Sequence, residues 1–179
     1  MTHITLAVTG SISAYKAADI TSQLTKLGFE VKVLMTPSAQ KFITPLTLQV
    51  LSKNQVGLDV MVEDDPQRIE HIDIGKETDL FLVAPASANT IAKLAMGLAD
   101  NMVTSTALAL PQTSKKLLAP AMNTKMLDHP ATQRNLEILK DFGYRIIQPR
   151  EATLACGDQG SGALATVDTI IQAVKENCL

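Results

Sequence analysis

Short runs of Val, Ile and Leu recur at 4–8, 31–35, 56–60, 80–84, 117–119 and 144–147, with apolar residues at helical spacing between them. Runs this short, without strict alternation, suit strands covered on both faces, and the helical stretches serve as crossovers between parallel neighbours. Ala17, Ile20, Leu24 and Leu27 mark one such helix, which ends at Gly28, a residue that accepts a left-handed backbone. Thr44-Pro45 and His129-Pro130 read as helix starts, because proline's fixed φ and missing N–H suit a first turn. Thr166 is placed to cap a last helix carrying Val167, Ile170, Ile171 and Val174. This alternation predicts a doubly wound α/β fold, a parallel sheet of about six strands inside a three-layer α/β/α sandwich. No repeat or linker interrupts residues 1–179, so one domain is expected.

In such a sheet the ligand sits beyond the carboxyl ends of the strands. The loops there are Thr9-Gly10-Ser11-Ile12-Ser13, Thr36-Pro37-Ser38, Pro85-Ala86-Ser87-Ala88-Asn89-Thr90 and Pro120-Ala121-Met122-Asn123. The first lacks the later glycines of a dinucleotide fingerprint and the Gly-Lys-Ser/Thr of a P-loop. Serine hydroxyls and N–H groups at a helix start can still hold one phosphate, which suits a mononucleotide such as FMN. The same serines, Ser11, Ser13, Ser38 and Ser87, serve equally well as helix caps and turn formers.

Hydrophobic residues make up 46% of the chain and charged residues 19%, enough apolar material for a substantial core. Lys and Arg number 16 against 18 Asp and Glu, a net charge of −2, and no basic run could track a phosphate backbone, so no nucleic-acid partner is expected. No apolar stretch is long enough to cross a bilayer and no basic segment opens the chain, so neither a membrane span nor a signal peptide is expected. Cys156 and Cys178 are too few for a disulfide framework and show no metal spacing with the histidines, which points to a reduced, cytoplasmic setting.

Three positions could carry chemistry. His71 precedes the run at 80–84, Asn123 follows the run at 117–119, and Cys156 lies in a glycine-rich stretch. A lone histidine is more often a surface or hydrogen-bonded core residue, and an asparagine after a strand often caps a helix. The stretch around Cys156 holds Gly157, Gly160 and Gly162, which describes a mobile loop over about 149–164 and suggests a lid bearing a thiol. Cys178, beside the last residue, reads as incidental.

Taken together, five segments resemble the homo-oligomeric flavin-containing cysteine decarboxylases, and within them the phosphopantothenoylcysteine decarboxylases of coenzyme A biosynthesis. They are Thr9-Gly10-Ser11-Ile12-Ser13-Ala14-Tyr15-Lys16, His71-Ile72-Asp73-Ile74, Ala84-Pro85-Ala86-Ser87-Ala88-Asn89-Thr90-Ile91-Ala92-Lys93 with Gly97 and Asp100-Asn101, Pro120-Ala121-Met122-Asn123-Thr124-Lys125-Met126, and Ala155-Cys156-Gly157-Asp158. The resemblance implies a Rossmann-like or flavodoxin-like homotrimer, or an assembly of trimers, with FMN and substrate at a subunit interface. His71 matches the family's catalytic histidine, Asn123 the residue that grips the substrate carboxylate, and Cys156 the proton donor on the lid. FMN contacts fall to Gly10, Ser11, Ser13, Ser38, Phe42, Pro85, Ala86, Ser87, Ala88 and Asn89. Substrate contacts fall to Ala121, Met122, Asn123 and Lys125; the residue that binds the substrate phosphate stays open, with Lys125 a candidate by position. Where the family often has Met-Trp, this chain has Met126-Leu127.

The implied reaction is decarboxylation of 4′-phospho-N-pantothenoylcysteine to 4′-phosphopantetheine through a thioaldehyde and an enethiolate. An oxidative peptidyl-cysteine decarboxylase of lantibiotic type stops at the enethiol and has no use for Cys156. A non-catalytic regulatory relative tends to lose part of the set that this chain keeps. The sequence ends at Leu179 just after the last helix, so a separate phosphopantothenoylcysteine synthetase is the expected pathway neighbour.

Overall fold

The computed structural model describes residues 1–63, 65–153, 157 and 159–178. Five strands, β1 (His3–Val8), β2 (Glu30–Met35), β3 (Leu80–Ala86), β4 (Lys115–Pro120) and β5 (Tyr144–Ile146), pair in parallel in the order β2-β1-β3-β4-β5. The helices are α1 (Ala17–Lys26), α2 (Pro45–Ser52), α3 (Glu70–Glu77), α4 (Ala88–Met96), α5 (Met102–Leu108), α6 (Thr124–Asp128), α7 (Pro130–Asp141) and α8 (Val167–Cys178).

Because successive strand residues point to opposite faces, the sheet builds two cores. Ile4, Leu6, Val8 and Leu82 pack with Ile20 and Leu24 of α1, Leu48 of α2 and Ile170 and Val174 of α8. On the other face Ala7, Phe81, Val83 and Leu118 meet Ile74 of α3, Ile91 of α4, Val103 of α5 and Leu139 of α7. Burial of β3 along its whole length explains why its sequence is continuously apolar rather than alternating.

The helix boundaries follow the local chemistry. Gly28 ends α1 with φ +88°, a conformation that any Cβ would strain. His129 Nδ1 accepts the Ala131 N–H at 3.1 Å at the start of α7, and Thr166 Oγ1 accepts the Thr169 N–H at 3.1 Å at the start of α8.

Two expectations need correction. The strand at 56–60 does not form: only Gly57 pairs with Leu34, through Met35 N–H to Gly57 O (3.0 Å) and Gly57 N–H to Val33 O (2.9 Å). Asp59 then accepts the Met61 N–H at 2.9 Å and turns the chain away, so the main sheet has five strands and not six. The segment 149–164, expected as a loop, carries an antiparallel pair, β6 (Arg150–Thr153) and β7 (Gln159–Ala163).

Candidate functional site

The strand order reverses between β1 and β3, which parts the loops leaving these strands and opens a crevice at their carboxyl ends. A cavity of about 330 Å³ lies there, lined by Gly10, Thr36, Pro37, Ser38, Ser87, Ala88, Asn89, Thr90, Lys93, Asp100, Asn101 and Met126. Glycine is required at its floor, because a Cβ on Gly10 would stand 2.5 Å from the Ser38 Cβ and pry the β1 and β2 loops apart. Thr9, fully buried, ties β1 to β3: its hydroxyl donates to the Pro85 carbonyl at 2.6 Å and accepts the Ser87 N–H at 2.8 Å. Ala84–Pro85 is a cis peptide.

The serines divide between capping and lining, and Ser87 does both. Ser87 begins α4, its Oγ accepting the Thr90 N–H at 3.3 Å, and Ser11 accepts the Ser13 N–H at 3.3 Å at the start of a 3₁₀ turn over Ile12–Lys16. Ser38 precedes a second 3₁₀ turn, Ala39–Lys41, without capping it; Thr36 does so, accepting the Ala39 N–H at 3.2 Å. A hydroxyl that accepts one N–H keeps its own proton to donate, and the first N–H groups of α4 have no intrahelical partner. The carboxylate on the wall, Asp100, is engaged by Lys93, whose hydrogen bond is the main reason its pKa lies below the ordinary range. This donor set fits a phosphate monoester, and the backbone approach allowed by Gly10 leaves room for a flat ring.

The β4 end adjoins this cavity. Ala121 N–H donates to the Ala86 carbonyl at 3.0 Å, and Asn123 caps α6, its Oδ1 accepting the Lys125 N–H at 2.9 Å. Against this loop lies β7: Met122 N–H donates to the Gly162 carbonyl at 2.9 Å. Gly162 has φ +138°, and a Cβ there would sit 2.4 Å from the Met122 carbonyl oxygen. Gly160 likewise packs on Thr124, whose hydroxyl is buried without a hydrogen-bond partner among the described residues. Leu127, in place of the family's frequent Trp, is buried in the second core.

His71 stands in the first turn of α3, next to Glu70, which pairs with Lys32 at 2.9 Å. Its Nδ1 is enclosed without a partner among the described residues, a state that a purely structural histidine rarely tolerates. His71 is absent from the cavity lining, as are Ser11, Ser13, Phe42, Ala121, Met122, Asn123 and Lys125. Of the expected flavin contacts the cavity gathers Gly10, Ser38, Ser87, Ala88 and Asn89. Pro85 and Ala86 are buried in β3 and contribute carbonyls that Thr9 and Ala121 use. Phe42 is 48% exposed just past the second 3₁₀ turn. Cys156 lies outside the described residues.

The cavity also contains Thr36, Lys93, Asp100 and Asn101, to which sequence reading assigned no site role. Lys93, Asp100 and Asn101 stand in the segment that carries the resemblance, which was the available signal for them. A second cavity, about 400 Å³, lies at the opposite, amino ends of β1 and β2 and is crossed by the Lys32–Glu70 and Arg68–Asp73 ion pairs. Ligands of doubly wound sheets bind at the other end, so the site is the crevice beyond β1 and β3.

The Flavoprotein family model matches residues 1–179. A probable phosphopantothenoylcysteine decarboxylase of Streptococcus mutans is 65% identical over 173 residues, 97% of each chain. The coenzyme A biosynthesis bifunctional protein CoaBC of Bacillus subtilis is 46% identical over 98% of this chain, which spans 43% of that protein. A mutant PPC decarboxylase complexed with pantothenoylaminoethenethiol superposes with TM-score 0.88 at 32% identity, covering 98% of this chain and 97% of the other. The FMN-dependent cysteine decarboxylase SpaF superposes with TM-score 0.84 at 28% identity, covering 100% and 98%. The chain therefore belongs to the flavoprotein family, among its phosphopantothenoylcysteine decarboxylases.

Proposed function

We propose that the chain is an FMN-dependent carboxy-lyase that converts 4′-phospho-N-pantothenoylcysteine to 4′-phosphopantetheine in coenzyme A biosynthesis. The observation that carries this reading is the crevice beyond β1 and β3, built of phosphate donors and adjoining the Asn123 loop. Residues 1–179 act as one decarboxylase domain, with the lid around 149–164. FMN is held by Gly10, Ser11, Ser13, Ser38, Phe42 and the loop from Pro85 to Asn89. When bound, it supplies reversible hydride transfer, the electron sink that an α-amido carboxylate beside a thiol lacks.

The side chains do the rest. A carboxylate only accepts, so its recognition falls to the donating end of the Asn123 amide, Nδ2. A neutral amide holds that carboxylate without the ion pair that would overstabilise the ground state. His71 handles a proton near neutral pH, and Cys156 delivers the last proton to carbon once the lid excludes water. Ala121, Met122 and Lys125 complete the substrate contacts.

The active form is a homo-oligomer, a trimer or an assembly of trimers. Support comes from His71, which does not line its own chain's cavity and so is suited to completing a neighbour's. No helix among the described residues is long and apolar enough to cross a membrane, in keeping with action in the cytoplasm. The substrate comes from an amide-forming ligase, a phosphopantothenoylcysteine synthetase. Incubating purified protein with the substrate and identifying the product by mass spectrometry tests the reading; substrate recovered intact beside FMN-loaded protein overturns it.

A further inference from the structure

Among the described residues that line the crevice beyond β1 and β3, Lys93 and Asp100 carry the charges and the others are neutral. The two reach each other because the chain reverses between them. Gly97, with φ +68°, ends α4, its N–H donating to the Leu94 carbonyl at 3.3 Å, and the Leu98 N–H donates to the Lys93 carbonyl at 2.9 Å. Lys93 Nζ then donates to Asp100 Oδ2, and Asn101 Nδ2 donates to Asp100 Oδ1 at 2.8 Å. Asn101 is itself held, its Oδ1 accepting the Thr104 N–H at 3.2 Å at the start of α5. Thr104 Oγ1 accepts the Asp100 N–H at 3.2 Å, so both the side chain and the backbone of Asp100 are fixed on the wall.

In a crevice of about 330 Å³ a bound phosphate and this wall lie within reach of each other's field, since the Debye length is about 10 Å at 0.1 M salt. The donors suited to that phosphate, Ser38, Ser87 and the first N–H groups of α4, are neutral, so Asp100 is the charge that opposes it. The ion pair with Lys93 cancels that charge. The Lys93 side chain is 22% exposed and that of Asp100 57%, so the interaction is partly screened and its scale is modest.

We propose that Lys93 is a positioning residue for FMN that acts through Asp100: it masks the carboxylate on the crevice wall and so lets neutral donors hold the flavin phosphate. The assignment rests on the FMN reading above. Its test is the release of FMN from the loaded protein on dilution, followed by the rise in flavin fluorescence, in wild type, Lys93→Met, Asp100→Asn and the double variant. Lys93→Met is expected to raise the Kd for FMN by about threefold to fivefold at low salt, the scale of interactions between partly exposed charges, and to lose most of that difference at about 1 M salt. Asp100→Asn breaks the same ion pair but removes the opposing charge, so it holds FMN at least as tightly as wild type. The double variant returns to the wild-type Kd, and Lys93→Arg, which keeps the cation, stays there. If the pair only braces the turn between α4 and α5, both single variants weaken FMN alike. If Lys93 itself grips the phosphate, the double variant stays as weak as Lys93→Met. Either result overturns the proposal, as does an unchanged Kd in Lys93→Met. Wild-type protein that neither carries nor takes up FMN overturns the flavin reading itself, and the assignment with it.

Discussion

Replacing Thr9 by Val keeps the shape of the side chain and removes the hydroxyl that joins the Pro85 carbonyl to the Ser87 N–H. Two buried backbone groups then lose their partner, at a cost of about 1–3 kcal/mol each. Thermal melting is expected to show a lower Tm, and flavin titration a weaker Kd, both recovered in Thr9→Ser; a Thr9→Val protein with wild-type melting and FMN affinity contradicts the role. The sequence places Thr9 in the first motif but gives it no role, because a threonine after a strand reads like any β-branched residue until its partners, 76 and 78 positions away, are known. His71 was legible as a motif residue but not as a geometry. Its Nδ1 is buried and unpaired, so His71→Asn is expected to keep the fold and FMN while slowing CO₂ release by at least ~10²-fold, the usual effect of removing a catalytic acid or base. Near-wild-type turnover returns His71 to a packing role.

Among the elements, the β6–β7 pair sits on the Met122–Thr124 segment through two close glycine contacts, Gly160 on Thr124 and Gly162 on Met122. Gly162→Ala would set a Cβ 2.4 Å from the Met122 carbonyl at a φ that disfavours any side chain. The expected result is a drop in kcat of about tenfold or more, as misplacement of site groups commonly produces, with FMN binding and core melting little changed. Unaltered kcat says that the hairpin's seat on the Met122-Asn123 loop is not used in turnover. This hairpin escaped sequence reading because Gln159-Gly160-Ser161-Gly162 has little strand propensity and pairs only because the Asn123 loop holds its outer strand. The opposite error came from Val56, Leu58 and Val60, whose alternation reads as a strand. There the side chains of Asn54, bonded to the Val31 carbonyl, and Asp59, bonded to the Met61 N–H, bend the chain on both sides of the Gly57 bridge. Elements with caps written into them, α1 before Gly28 and α7 after His129, were legible because their ends are fixed locally.

For the whole molecule, the proposed homo-oligomer has a testable consequence, because His71 does not line its own chain's cavity. His71→Asn and Asn123→Asp proteins, each inactive alone, are expected to regain part of the wild-type rate when mixed under conditions that exchange subunits, since some interfaces then pair an intact histidine with an intact asparagine. A mixture no more active than its components means that each chain completes its own site. Cys156→Ser is expected to oxidise and decarboxylate the substrate but leave the flavin reduced, because a serine hydroxyl is a far weaker acid than a thiol. Its product should be an enethiol that lacks the final hydride and proton. The most direct test of the account is a single measurement on wild-type protein: product mass and flavin absorbance recorded together after multiple turnovers of phosphopantothenoylcysteine. The expected result is phosphopantetheine, lighter than the substrate by one CO₂, with the flavin oxidised. An enethiol accompanied by reduced flavin would contradict it and make the chain an oxidative decarboxylase.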